Sequence, residues 1–209
     1  MTSRRGCFLS PTFGTALAVW LIQTAFAGTA VAGPFEDAVS AHALGDYATA
    51  VQLWRPLADR GDARAQFNLG IAYERGESVA QDFEQAMKWY RKAADQGYGR
   101  AQFNLAVMYH RGEGVAQNYQ QAAKWYREAA DRGEANAQFN LAGMYGNGRG
   151  VAKDYVQAAK WYDLAAARYL PSEEASRYKA LRSRDLVAAK MTPAQIAEAQ
   201  KLAREWKPK

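Results

Sequence analysis

Along residues 98–111, apolar side chains fall at Ala101, Leu105, Met108 and Tyr109. That spacing gathers them on one face of a helix. Phe103 and Val107 form a second apolar stripe, so this helix is predicted to be covered on two sides. Gly112 and Gly114 follow, and glycine accepts the left-handed backbone that closes a helix. Asn118 then stands where an N-cap belongs. From there Tyr119, Ala122, Tyr126 and Ala129–Ala130 predict a second helix that runs to about Arg132 and ends at Gly133.

This pattern recurs. Ala65-Gln66-Phe67-Asn68-Leu69 returns as residues 101–105 and as residues 137–141, each time after 36 residues. Trp89-Tyr90, Trp125-Tyr126 and Trp161-Tyr162 keep that interval, and so do Asp46, Asp82, Asn118 and Asp154. Residues 65–100 and 101–136 are identical at 22 of 36 positions without a gap. A two-helix unit cannot bury its apolar face alone, so neighbouring units must stack. The predicted fold is therefore all-α, a curved α/α solenoid. Ala93-Ala94, Ala129-Ala130 and Ala165-Ala166 are expected at close helix contacts, with the Trp-Tyr pairs filling the space between.

The repeats are placed at about 65–100, 101–136 and 137–172, so that with a partial unit at 34–64 the solenoid spans 33–172. In the partial unit, Pro56 falls inside the second helix and is expected to kink it. Beyond Pro171 the pattern breaks, and residues 173–209 read as two capping helices, at 173–190 and 192–206. Ile196, Ala199, Ala203 and Trp206 form one stripe, to be laid over the end of the last repeat.

The unit opens with Ala-Gln-Phe-Asn-Leu, carries Gly-x-Gly-Val in its loop and Ala-x-Lys-Trp-Tyr in its second helix. In these features it resembles the Sel1-like repeat family, a branch of the tetratricopeptide-like solenoids. The matching motifs cover residues 65–170, with a partial match back to residue 34. Ser78 departs from the pattern, standing where the second loop glycine is expected. The resemblance implies an interaction scaffold, often exported in Gram-negative bacteria, whose partner in some members is a sensor kinase or an envelope assembly. It implies no common substrate.

Residues 1–32 stand apart. Arg4 and Arg5 precede an apolar run from Phe13 to Phe26, and Ala25-Phe26-Ala27 and Ala30-Val31-Ala32 offer small-x-small endings. This describes a secretory signal peptide, cleaved after Ala27 or Ala32, by the general or the twin-arginine route. The expectation is a periplasmic or secreted protein with no membrane span once the signal is removed. Cys7 would leave with it, so the mature chain would have no disulfide, cysteine nucleophile or thiolate metal site. The remainder holds 25 basic and 21 acidic residues. Residues 33–176 are nearly balanced, with 16 basic and 18 acidic, whereas residues 177–209 hold nine basic and three acidic. An exported chain rarely meets nucleic acid, so the basic segment is read as a solvated face or as a binder of peptidoglycan or membrane surface.

Candidate chemistry is sparse. The loops at 112–115 and 148–151 follow helices, whereas phosphate-cradling loops follow strands and lead into Lys-Ser/Thr. His42 and His110 lie on different units; His110, in the last turn of its helix, is expected as a surface cation favoured by the dipole. The mature serines are Ser40, Ser78, Ser172, Ser176 and Ser183, and they are read as lying outside both Gly-x-Ser-x-Gly and Ser-x-x-Lys. Trp89, Trp125 and Trp161 are periodic and therefore assigned to the core rather than to sugar or base stacking. No catalytic residue, metal ligand or cofactor is assigned, and the chain is not read as an enzyme.

Positions that repeat do the packing, and positions that vary are free for recognition. In helix one the variable sets are Arg64/Arg100/Asn136, Glu74/His110/Gly146 and Arg75/Arg111/Asn147. The resemblance implies that helix one lines the concave groove, beside Asn68, Asn104 and Asn140. These asparagines face the groove or, as a rival role, hydrogen-bond neighbouring backbone. The expected function is a monomeric scaffold binding a protein segment in this groove. The alternatives are a cell-envelope hydrolase, β-lactamase-like or peptidoglycan-acting, and a surface binder acting through the basic C-terminal helices.

Overall fold

A computed structural model describes residues 33–209, so Cys7 and the segment 1–32 read as a signal peptide lie outside the described residues. Among the described residues the chain forms ten α-helices, one short 3-10 turn and no strand. Helices α1 (Pro34–Ala43) and α2 (Tyr47–Asp59) make the first pair. Then come α3 (Ala63–Arg75) with α4 (Phe83–Asp95), α5 (Gly99–Arg111) with α6 (Tyr119–Asp131), and α7 (Ala135–Asn147) with α8 (Tyr155–Arg168). After a 3-10 turn at Pro171–Glu173, α9 (Glu174–Ala188) and α10 (Pro193–Glu205) close the chain. The architecture is the expected solenoid of helix-turn-helix units.

The second helix of each unit starts where a side chain satisfies its free backbone donors. Asp46, Asp82, Asn118 and Asp154 accept hydrogen bonds from the backbone of Thr49, Gln85, Gln121 and Gln157 at 2.9–3.1 Å. Such a cap contributes about 1 kcal/mol. Helix one ends on Gly76, Gly112 or Gly148, all left-handed. Helix α2 runs through Pro56 to Asp59, with that proline on its exposed side.

Each helix packs mainly against its neighbours in the chain, and α10 returns to α8. The paired alanines 93–94, 129–130 and 165–166 are all buried, which lets the helix axes approach. Trp89, Trp125 and Trp161 are at most 8% exposed, as core packing requires.

Two polar ladders and one close backbone approach tie unit to unit. Gln66, Gln102 and Gln138 are buried, and their side-chain amides donate to the carbonyls of Ala58, Ala94 and Ala130 at 3.0–3.1 Å. Each bond joins the start of helix one to the last turn of the preceding helix two, whose carbonyls have no intrahelical partner. A second ladder runs from Arg55, Arg91 and Arg127, which donate to the hydroxyls of Tyr73, Tyr109 and Tyr145 in the next unit. At the following 36-residue step, Asp163 replaces arginine and instead accepts from Arg184 of α9 at 2.8 Å. The third tie is the close approach. A Cβ on Gly114 would lie 2.6 Å from the Phe83 carbonyl, and one on Gly150 would lie 2.2 Å from that of Tyr119. Ser78, at the equivalent place in the first loop, is exposed and takes a left-handed φ of 57° despite its side chain.

The far end is covered as expected. Thr192 and Gln195 form a reciprocal capping box at the start of α10. Trp206 meets Trp161 edge to face at 6.2 Å, and Ala203 joins the same core. The chain end bends back to α6, where Lys209 donates through its backbone to the Asp131 carbonyl and through its ammonium to the Asp131 carboxylate.

The loop contacts predict unequal costs for similar changes. Gly150→Ala combines overpacking with a left-handed alanine, and should destabilise by about 2–4 kcal/mol in urea unfolding. Ser78→Gly relieves a left-handed serine while freeing the unfolded chain, and should shift stability by less than about 1 kcal/mol. Equal effects of the two substitutions would show that the loop is not held by this approach.

Candidate functional site

The recognition candidates lie on helix one of successive units, and three clefts run between those helices. The first holds about 340 Å³. It is bounded by Phe35, Val39 and His42 of α1, by Arg64, Phe67, Asn68, Ile71 and Arg75 of α3, and by Tyr98 and Arg100 at the start of α5, with Trp54 of α2 at its wall. The second, of about 150 Å³, lies between α5 and α7 and is lined by His110, Phe139, Asn140, Gly143, Met144, Asn147 and Arg149. The third, of about 190 Å³, is lined by Phe103, Asn136, Phe139 and Asn140, with Tyr169 and, from α9, Ser176 and Lys179. Helix α9 thus takes the place that helix one of a further unit would occupy.

Of the eleven sequence candidates, Arg64, Asn68, Arg75 and Arg100 meet in the first cleft. His110, Asn140 and Asn147 meet in the second, and Asn136 with Asn140 in the third. Arg111 lies outside all three and pairs with Glu113 at 3.5 Å. Glu74 is half-buried and accepts a hydrogen bond from the Tyr90 hydroxyl. Burial, followed by the Glu74 charge, raises the pKa of that hydroxyl and keeps it a neutral donor. Asn104 stands beside the same Tyr90 hydroxyl, and Asn140 beside that of Tyr126, which burial pushes up to about 12.

The backbone-bonding role weighed for the asparagines is carried by Gln66, Gln102 and Gln138, two residues before each of them. Their unbroken recurrence at 36-residue steps was the available signal. His110 also differs from the expected surface cation. Burial, followed by the charges of Arg149 and Arg111, lowers its affinity for a proton, and its Nδ1 is enclosed without a partner.

The first cleft is both charged and aromatic. The Arg64 guanidinium lies 4.0 Å from the centre of the Phe35 ring, a cation–π contact. Its ion pairs, with Asp62 at 3.3 Å and Glu36 at 3.7 Å, lie at the surface. His42 bonds Glu77 at 3.0 Å, and Glu77 also meets Arg75 at 3.4 Å. Arg100 has no ion pair among the described residues.

Contrary to the expectation that no serine sits in Ser-x-x-Lys, Ser176 precedes Lys179 by three residues, a spacing used by serine acyl-transfer enzymes. Here the Lys179 ammonium sits 5.1 Å from the centre of the Phe139 ring, and no hydrogen bond joins it to Ser176 among the described residues. A nucleophile needs its base within hydrogen-bond reach. Among the described residues no group of three or more His, Cys, Asp or Glu could hold a metal, and no helix is long and apolar enough to cross a membrane.

No curated protein matches the chain. Among solved structures, it is similar to a protective antigen of uropathogenic Escherichia coli with an SLR fold, at 36% identity and a TM-score of 0.67. That match covers 76% of this chain and 32% of the antigen, so the chain spans about a third of the antigen's length. It is also similar to a Sel1 repeat protein from Oxalobacter formigenes, at 28% identity and a TM-score of 0.65, over 81% of this chain and 74% of that one. The Sel1 repeat profile matches residues 63–98, 99–134 and 135–169, two residues ahead of the boundaries drawn from the sequence. With three tandem matches over half its length and the helix pairs to go with them, the chain belongs to the Sel1 repeat family.

Proposed function

We propose that this protein is an exported scaffold that holds a segment of a partner protein along the helix-one groove. Sel1 repeat proteins are generally protein–protein interaction scaffolds and typically non-enzymatic. One observation carries the finer reading. The residues that vary between units, chiefly Arg64/Arg100/Asn136 and Arg75/Asn147, line clefts on one side of the array. Meanwhile the repeated glutamines, tryptophans and paired alanines are buried at the seams between units, and the repeated Phe-Asn pairs supply the constant part of the cleft walls. A row of parallel helices with clefts between them suits an extended or helical segment, whose side chains enter alternate pockets. The basic start, apolar run and small-x-small ending of residues 1–32 support export to the periplasm or beyond.

A second reading rests on α9. Tyr178 and Leu186 are 66% and 63% exposed, beside the exposed Arg177, Arg182 and Lys190. That face suits an anionic envelope surface.

Two measurements test these readings. Intact mass of the protein from the periplasmic fraction should show a chain beginning at Gly33 or Gly28; retention of residues 1–32 in the cytoplasm would rule out export. A photo-crosslinker at position 75 should capture one defined protein in cells, and one at position 88, on exposed α4 surface, should not. Equal capture from both faces would refute the groove, and salt-sensitive pelleting with envelope fractions alone would favour α9.

A further inference from the structure

The groove is not uniform along its length. At the first variable position of helix one, arginine stands in the first two repeats and asparagine in the third, as Arg64, Arg100 and Asn136. The last-turn position repeats that order, as Arg75, Arg111 and Asn147. Three of those four arginines, Arg64, Arg75 and Arg100, line the first cleft. Beneath them lie Phe67, Ile71 and Tyr98, with Phe35 and Val39 across from α3.

The acids nearby leave this charge available. Asp62 caps α3 through Oδ1, accepting from the backbone of Arg64 and Ala65, and its Oδ2 meets the Arg64 guanidinium at 3.3 Å in a pair that lies at the surface. Glu77 is shared between His42 and Arg75. Glu36 stands 3.7 Å from Arg64, and both side chains are at least half exposed, so that pair is weak and exchangeable. Arg100 is exposed and has no ion pair among the described residues. Arginine presents a fork of donors that matches a carboxylate, and its stacking on Phe35 fixes where the Arg64 fork sits.

From this geometry we infer that the α1–α3–α5 cleft takes an acidic peptide segment carrying an aromatic or branched apolar side chain. The apolar side chain enters between Phe67, Ile71 and Tyr98, while the flanking carboxylates meet Arg64, Arg75 and Arg100. Toward α7 the helix-one positions carry Asn136, Asn140 and Asn147, beside Arg149 in one cleft and Lys179 in the other. This inference rests on the groove reading above and gives it a partner chemistry.

The test uses the exported protein and two peptides of one length. One is Gly-Ser-Asp-Glu-Phe-Asp-Glu-Leu, and the other has every Asp and Glu replaced by Asn and Gln. Both carry a fluorophore and a benzophenone. Fluorescence anisotropy should show the acidic peptide binding at least about tenfold more tightly, with affinity falling as salt rises. Arg64→Gln combined with Arg100→Gln should lose about tenfold or more for the acidic peptide while melting temperature and circular dichroism stay unchanged. Benzophenone insertion should map between residues 64 and 75.

Equal affinity for both peptides, with insertion still in the clefts, would overturn the acidic preference and leave the groove reading standing. Insertion on helix-two surfaces would sink both. Absence of acidic-peptide binding would overturn the inference, while position-75 crosslinking in cells separately decides the groove.

Discussion

Everything in this array depends on the seam between one helix pair and the next. The seam must be close, because alanine meets alanine there, and a close seam leaves helix-end carbonyls cut off from water. The buried glutamine at the start of each helix one fastens that seam by adding its amide to a helix-two carbonyl that also accepts from the backbone of Gly61, Gly97 or Gly133. The bond also fixes register, because only one glutamine position reaches the carbonyl when the alanine faces interlock. Outside the seams, the structure has little reason to hold one residue rather than another. That freedom puts variation on the groove-lining positions of helix one.

Helix boundaries, caps and core were legible because each follows from local rules repeated at one interval. Asp82, Asn118 and Asp154 were recognisable as caps, the tryptophans as core, and the break after Pro171 as the start of capping helices. Two residue roles were not legible. Asparagine and glutamine have the same chemistry, and which one reaches the neighbouring backbone depends on helix rotation, which periodicity fixes only to within a residue or two. The state of His110 depended on Tyr119 and Tyr126, 5.3 and 6.2 Å away, and on Arg149 from the next unit. No local rule brings those groups together.

The candidate groove was legible as a set of positions but not as a set of sites. Sequence comparison between units named eleven side chains; folding gathers four of them into one cleft and gives Glu74 to Tyr90. The wall contributed by α1 was hidden, because Phe35 and Val39 belong to a degenerate unit with no recognition signature of its own. The Ser176–Lys179 spacing shows the opposite error: a motif present in the letters whose geometry the fold does not complete.

The change from Arg127 to Asp163 gives the array a stop signal. Each earlier unit offers a guanidinium to the tyrosine of whatever unit follows it. The last unit offers a carboxylate, and only a cap bearing Arg184 answers it. Growth by tandem duplication is therefore open in the middle of the chain and closed after α8. A copied block of 36 residues inserted ahead of residue 137 finds matching chemistry at both of its new junctions, whereas one appended behind Asp163 meets a terminus of the wrong sign. Lineages that lengthen this molecule would do so from within, keeping the same last unit and cap.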